Sequence, residues 1–147
     1  MGVLICPCKI KEKVGNIGDD KEYDADVVKI DGDFIIEPFE RGYYAYECSE
    51  PSISMSYGQN HDFISCISDL DPYGFSVTLS SCGIDNAVSY KCAEKMLEEF
   101  DGHLDDAEVF IYERFGDDYG AFIWYVYKEF IEILKECIKL QGVVRFH

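Results

Sequence analysis

Cys6-Pro7-Cys8 puts two thiols close together, which is how many zinc sites begin. A structural zinc needs a second ligand pair at similar close spacing, and none follows, so no metal is expected there. Cys48, Cys66, Cys82, Cys92 and Cys137 sit among apolar neighbours and read as small buried side chains. Asp19, Asp20, Asp24 and Asp26 crowd together as in a calcium loop, but the glycine and closing glutamate of an EF-hand are not at the required offsets. Weak surface binding of calcium is the most they support. His103, between Asp101 and Asp105, has the makings of a ligand or a carboxylate-oriented base, although a histidine in an acidic loop is more often simply exposed. No Gly-rich phosphate cradle, Walker lysine, HExxH pair or GxSxG elbow occurs, and three arginines equip the chain poorly for phosphorylated substrates. Paired carboxylates of the glycosidase kind are not identifiable among 29 acids. The expectation is therefore a protein that is not an enzyme and needs neither metal nor cofactor.

Charge and aromatic side chains point to binding instead. Against 29 acidic residues stand 13 Lys and Arg, a net charge of -16 that disfavours nucleic acid and anionic membranes and favours a cationic protein surface. The surplus is uneven. No Lys or Arg occurs between Gly42 and Tyr90, and from Glu98 to Asp118 nine acids face the single Arg114. Solubility alone accounts for part of this. Eleven Tyr, ten Phe and one Trp exceed what one core of this size readily conceals, and Tyr and Trp are favoured at interfaces. Trp124 and Tyr125 project toward the polar side of their helix and are either covered by the sheet or form a contact anchor. Tyr43, Tyr44 and Tyr46 beside Glu47 and Glu50 pose the same choice, with strand packing the simpler account.

The elements that must position these groups begin with a helix from Asp118 to Gly142. Ile123, Val126, Phe130, Ile133, Cys137 and Leu140 recur at steps of three and four, Phe122, Tyr127, Leu134 and Ile138 widen the stripe, and Lys and Glu fill the other side. Asp118 is the candidate cap and Gly142 the stop. A second helix is expected from Asp85 to Gly102 through Val88, Cys92, Met96 and Phe100, and a shorter one from Asn60 to Leu70. Asp105 with Glu108 resembles a capping box opening a helix through Phe115; the alternative is a strand over 109–112 paired with 121–127 across a Gly116–Gly120 loop. Strands are expected at Val3–Ile10, where Pro7 implies a sheet edge or a strand start, at Tyr43–Tyr46, at Ile53–Tyr57 and at Phe75–Leu79. A hairpin is expected around Asp31-Gly32, joining Val27–Ile30 to Phe34–Ile36. Together these predict one α+β domain over 1–147, an antiparallel sheet mainly from the N-terminal half with helices mainly from the C-terminal half packed on it.

Seven cysteines of irregular spacing read as reduced thiols, Val3–Cys6 is too short for a signal-peptide core, and no apolar run spans a bilayer. A cytoplasmic location is expected. In size, in acidity concentrated in segments such as Glu98–Asp118, and in aromatics such as Trp124 and Tyr125, the chain resembles the immunity proteins of bacterial contact-dependent inhibition and other polymorphic toxin systems. That resemblance implies an inhibitor that neutralises a cognate basic toxin, often a nuclease, by occluding its active site. The expected contacts are Glu98, Glu99, Asp101, Asp105, Asp106, Asp117 and Asp118, with Trp124 and Tyr125 as apolar anchors. The alternatives are a nucleic-acid mimic, an adaptor without activity, and a small enzyme whose carboxylates converge with His61 or His103.

Overall fold

A computed structural model describes residues 2–19, 22–23, 26–31, 36–82 and 86–147. Its spine is β1 (Gly2–Gly15), which pairs directly with three of the other five strands. On one edge β1 pairs with β4 (Ile53–Ser56) from Gly2 to Ile5 and with β3 (Gly42–Cys48) from Cys8 to Gly15; on the other it pairs with β6 (Val143–Phe146) from Ile5 to Cys8. β2 (Val27–Ile30) extends the sheet beyond β3, and β5 (Asn86–Ser89) extends it beyond β6. All these pairings are antiparallel, and the order is β2-β3-β1-β6-β5 with β4 beside β1.

Pro7 lies in the middle of this central strand, not at an edge or a start as expected. The reason is local. Pro7 carbonyl accepts from the Ser49 amide at 2.9 Å, on the side where β3 has ended and β4 has not begun, so the missing N–H interrupts no ladder bond. Both faces of β1 are covered near its start. Val3 and Ile5 join the main core under the helices, while Cys6 and Cys8 join Val28, Ile30, Ala87 and Val143 in a smaller core inside the curl of the sheet, where β2 approaches β5. That is why Val3–Cys8 is an unbroken apolar run.

β4 passes directly into α1 (Tyr57–Leu70), whose start is fixed by a reciprocal capping box between Ser56 and Gln59. Asn60 lies inside the first turn and is not the cap. β5 likewise runs into α3 (Tyr90–Gly102) with Ser89 as cap, so Val88 belongs to a strand and the helix begins later than Asp85. The Phe75–Leu79 stretch is not a strand; α2 (Ser76–Ser81) is a short helix. α4 runs from Leu104 to Leu140, which settles 108–115 as helix. The alternative strand pair and its Gly116–Gly120 loop are absent; the two expected helices meet at a break of one residue, Gly116, at φ 83°, ψ −177°. His103 precedes it without a side-chain cap bond, so Asp105 and Glu108 form no capping box. At its far end Gln141 takes the left-handed conformation (φ 49°, ψ 43°) and Gly142 follows. The expected hairpin turn and Phe34 and Ile35 lie outside the described residues; the described partner of β2 is β3.

The stripe read from the sequence is the buried face of α4: Ile123, Val126, Phe130, Ile133 and Cys137 are fully buried. Aromatic rings fill much of the core, while Tyr57, Tyr73 and Tyr125 stay exposed, part of the surplus expected from composition. Phe100 lies 4.8 Å from both Phe130 and Tyr127 and 5.4 Å from Phe75, and Phe63 lies 5.9 Å from Phe130. Each such ring contributes about 1.5–3 kcal/mol on full burial. The result is an α+β domain, its curled antiparallel sheet mainly N-terminal and its helices mainly C-terminal. Among the described residues no helix is long and apolar enough to cross a membrane.

Candidate functional site

The first part of α4 turns Ala107 and Ile111 inward, which leaves Asp105, Asp106, Val109 and Glu113 on its outer side. Beside it ends α1. Between them runs an open groove of about 530 Å³, floored by Leu70, Val109 and Phe110 and rimmed by Asp105, Asp106 and Glu113. Val109 is 59% exposed, the most open of the exposed aliphatic side chains, ahead of Leu104 and Ile17.

Three ties fix the groove's walls. Arg114 pairs with Asp69, and the Tyr119 hydroxyl donates to Asp62 at 2.7 Å, both joining α4 to α1. That hydrogen bond and burial push the Tyr119 hydroxyl up to about 12, burial being the larger cause. The third tie is His103. Its Nε2 lies 3.0 Å from Asp71, its Nδ1 lies 3.1 Å from Asp106, and its ring stacks on Phe75 at 5.1 Å. With a carboxylate on each nitrogen, His103 is a clamp between the turn after α1 and the start of α4, and neither nitrogen is free to serve a substrate.

The expected contact residues separate. Asp105 and Asp106 line the groove, and Glu98, Asp101, Asp117 and Asp118 are exposed near it in sequence. Among the described residues no Lys or Arg forms an ion pair with any of these six, whereas acids at the sheet end are matched: Lys11 with Glu47, Lys13 with Glu40, Lys29 and Arg41 with Asp31. Glu99 is not a surface contact. Its carboxylate accepts from the Val77 amide at 3.0 Å and from the Thr78 amide and hydroxyl at 2.8 and 2.7 Å, closing the start of α2. Trp124 is also corrected. It is buried in the main core, stacked on Tyr127 at 5.4 Å, with Lys128 over its ring, so it is no anchor. Tyr125 is exposed and donates to Glu129 at 3.1 Å, which raises its hydroxyl pKa. The apolar floor escaped the sequence reading because Leu70 and Phe110 fall on stripes that read as inward-facing.

Cysteine chemistry is corrected as well. Cys48 is exposed, and the Cys8–Cys48 register brings it to the two N-terminal thiols. The Sγ separations are 3.4 Å for Cys6–Cys48, 3.6 Å for Cys8–Cys48 and 3.8 Å for Cys6–Cys8. Cys8 as hydrogen-bond partner, with Cys48 and His147 acting the same way against burial, lowers Cys6 to about 6. Cys8 is raised by that same bond and by burial, and Cys48 is raised to about 11, chiefly by burial. No family model, curated protein or solved structure matches this chain.

Proposed function

We propose that this chain is a protein-binding inhibitor, an immunity protein that neutralises a basic toxin by covering its active site, and that the groove between α1 and α4 receives a cationic segment of that partner. The observation that carries the reading is the pairing of an apolar floor with an acidic rim. A Lys or Arg side chain lays its methylene stem on Leu70, Val109 and Phe110 and turns its charged head to Asp105, Asp106 or Glu113. Glu98, Asp101, Asp117 and Asp118 add the longer-range field that speeds the encounter, and Val109 with Tyr125 supplies apolar contact that slows departure. The cytoplasm, where cysteines stay reduced, is the compartment this reading implies.

The test is co-expression with the product of a neighbouring gene, as expected for a toxin and its antidote. The wild-type chain should restore growth, and the double change Asp105→Lys with Glu113→Lys should abolish that protection while the protein stays folded. In the purified pair, the association rate should fall steeply as salt rises and the dissociation rate should change less. Protection that survives the double reversal, or association indifferent to salt, would remove the groove from the function.

A further inference from the structure

We propose that Cys6, Cys8 and Cys48 form a three-thiolate binding site for one thiophilic divalent metal ion of the zinc class. Among the described residues these three thiols are the group whose ligand atoms converge on a single point. A tetrahedral zinc with Zn–S bonds of about 2.3 Å sets its sulfurs about 3.8 Å apart, and the three separations here are 3.4, 3.6 and 3.8 Å. The thiols therefore already stand close to one face of the tetrahedron, and binding asks for shifts of a few tenths of an ångström.

Packing alone accounts poorly for this arrangement. Small apolar filling explains Cys6 and Cys8, but Cys48 as a residue is exposed, and only its thiol is turned toward the other two. The backbone holds all three. Cys6 and Cys8 alternate onto the same face of the central strand, and the antiparallel register sets Cys48 directly across from Cys8. His147 continues the β6 pairing, exchanging backbone hydrogen bonds with Leu4 at 2.8 and 2.9 Å, which puts it on the same face as Cys6. Its ring nitrogens do not come within 4.8 Å of all three sulfurs, so the protein supplies three donors and leaves the fourth position to an exogenous ligand.

Charge and access fit too. Three thiolates around a divalent ion leave one negative charge, and Arg145 stands opposite Cys6 in register, its guanidinium held over the Tyr46 ring at 4.8 Å. A cleft of about 180 Å³, lined by Leu4, Cys6, Cys48, Ser49, Glu50 and Ser52, leads from solvent to two of the three thiols. The site is remote from the acidic groove in composition and in the elements that build it, so its fate is independent of the proposed function.

The full chain, purified under reducing and oxygen-free conditions and stripped of metal, is titrated with zinc against a chromophoric chelator, and with cobalt(II) as a spectroscopic stand-in. Expected are one equivalent of zinc bound and the intense visible bands of tetrahedral cobalt–thiolate coordination. Cys48→Ser and Cys6→Ser should each weaken zinc binding at least about tenfold. Because Cys6→Ser disturbs a core strand, the wild-type protein supplies a second readout: zinc should slow alkylation of the exposed Cys48 at least about tenfold, mapped by peptide mass, and leave the rate at Cys82 unchanged. Weak octahedral cobalt bands, no competition with the chelator, or equal alkylation of Cys48 with and without zinc would overturn the site.

Discussion

Asp71 closes the turn after α1 by accepting from the Gly74 amide at 2.9 Å and the Tyr73 amide at 3.2 Å, and it also meets His103 Nε2 at 3.0 Å. These contacts, the Gly74 amide foremost, hold its carboxyl below the usual carboxylate range. A carboxyl whose folded value is depressed contributes stability above its unfolded value of about 3.9, and the contribution disappears as pH falls through the lower folded value. Asp71→Ala should therefore lower the thermal midpoint at neutral pH, and the gap to wild type should close progressively on acidification. A gap that stays constant down to about pH 2 would show that Asp71 acts through shape alone. The same residue explains why His103 differs from the exposed histidine expected of an acidic loop. Its neighbours in sequence are acids, but the group that captures Nε2 is 32 positions away.

At the level of elements, the end of α4 and the entry to β6 are fixed by Gly142. A Cβ built there would fall 1.8 Å from the Cys8 carbonyl oxygen, a backbone atom of the central strand with no freedom to retreat. Gly142→Ala should cost about 1–3 kcal/mol, measurable as a shift of the denaturant midpoint, since it must push β6 from β1. A neutral substitution would mean that the helix end and the strand move independently. Gly142 was legible only as a helix stop; its closer constraint comes from a strand more than a hundred residues earlier. The same division runs through the fold. The second half of α4 could be read because its period repeats over six turns, and β3 and β4 because they are short, aromatic or alternating, and bounded by Pro and Gly. The start of α3 could not, since Val88 fits the alternation of β5 and the stripe of Cys92 and Met96 equally well. α2 reads as a strand through Ser76, Thr78 and Ser80 until the Glu99 carboxylate, from another helix, takes the amides at its start. β6 is four residues with no pattern of its own, and β1 and β5 on either side determine it.

Across the whole molecule the acids are distributed unequally in their pairing, and that has a thermodynamic consequence. The four ion pairs among Lys11, Lys13, Lys29 and Arg41 gather at the sheet end, so the repulsion within a chain of net charge -16 falls mainly on α3 and the first part of α4. The acidity of that segment was legible from composition. Its partner, the apolar floor, was not, because only the packing of α4 against the end of α1 leaves Val109 uncovered. An exposed aliphatic residue among carboxylates that no Lys or Arg offsets opposes stability, and a surface kept for docking tolerates such a cost where a merely soluble one gains nothing from it. Asp105→Lys with Glu113→Lys relieves part of the repulsion and should raise the thermal midpoint at low salt, on the order of 2 °C. The advantage should shrink as added salt screens the same repulsion in the wild type, whose own midpoint should climb with salt. If the double variant is instead less stable at every salt concentration, the carboxylates hold the fold together and the groove is a by-product of packing; if it is more stable yet no longer protects against its toxin, stability has been exchanged for binding at those two positions.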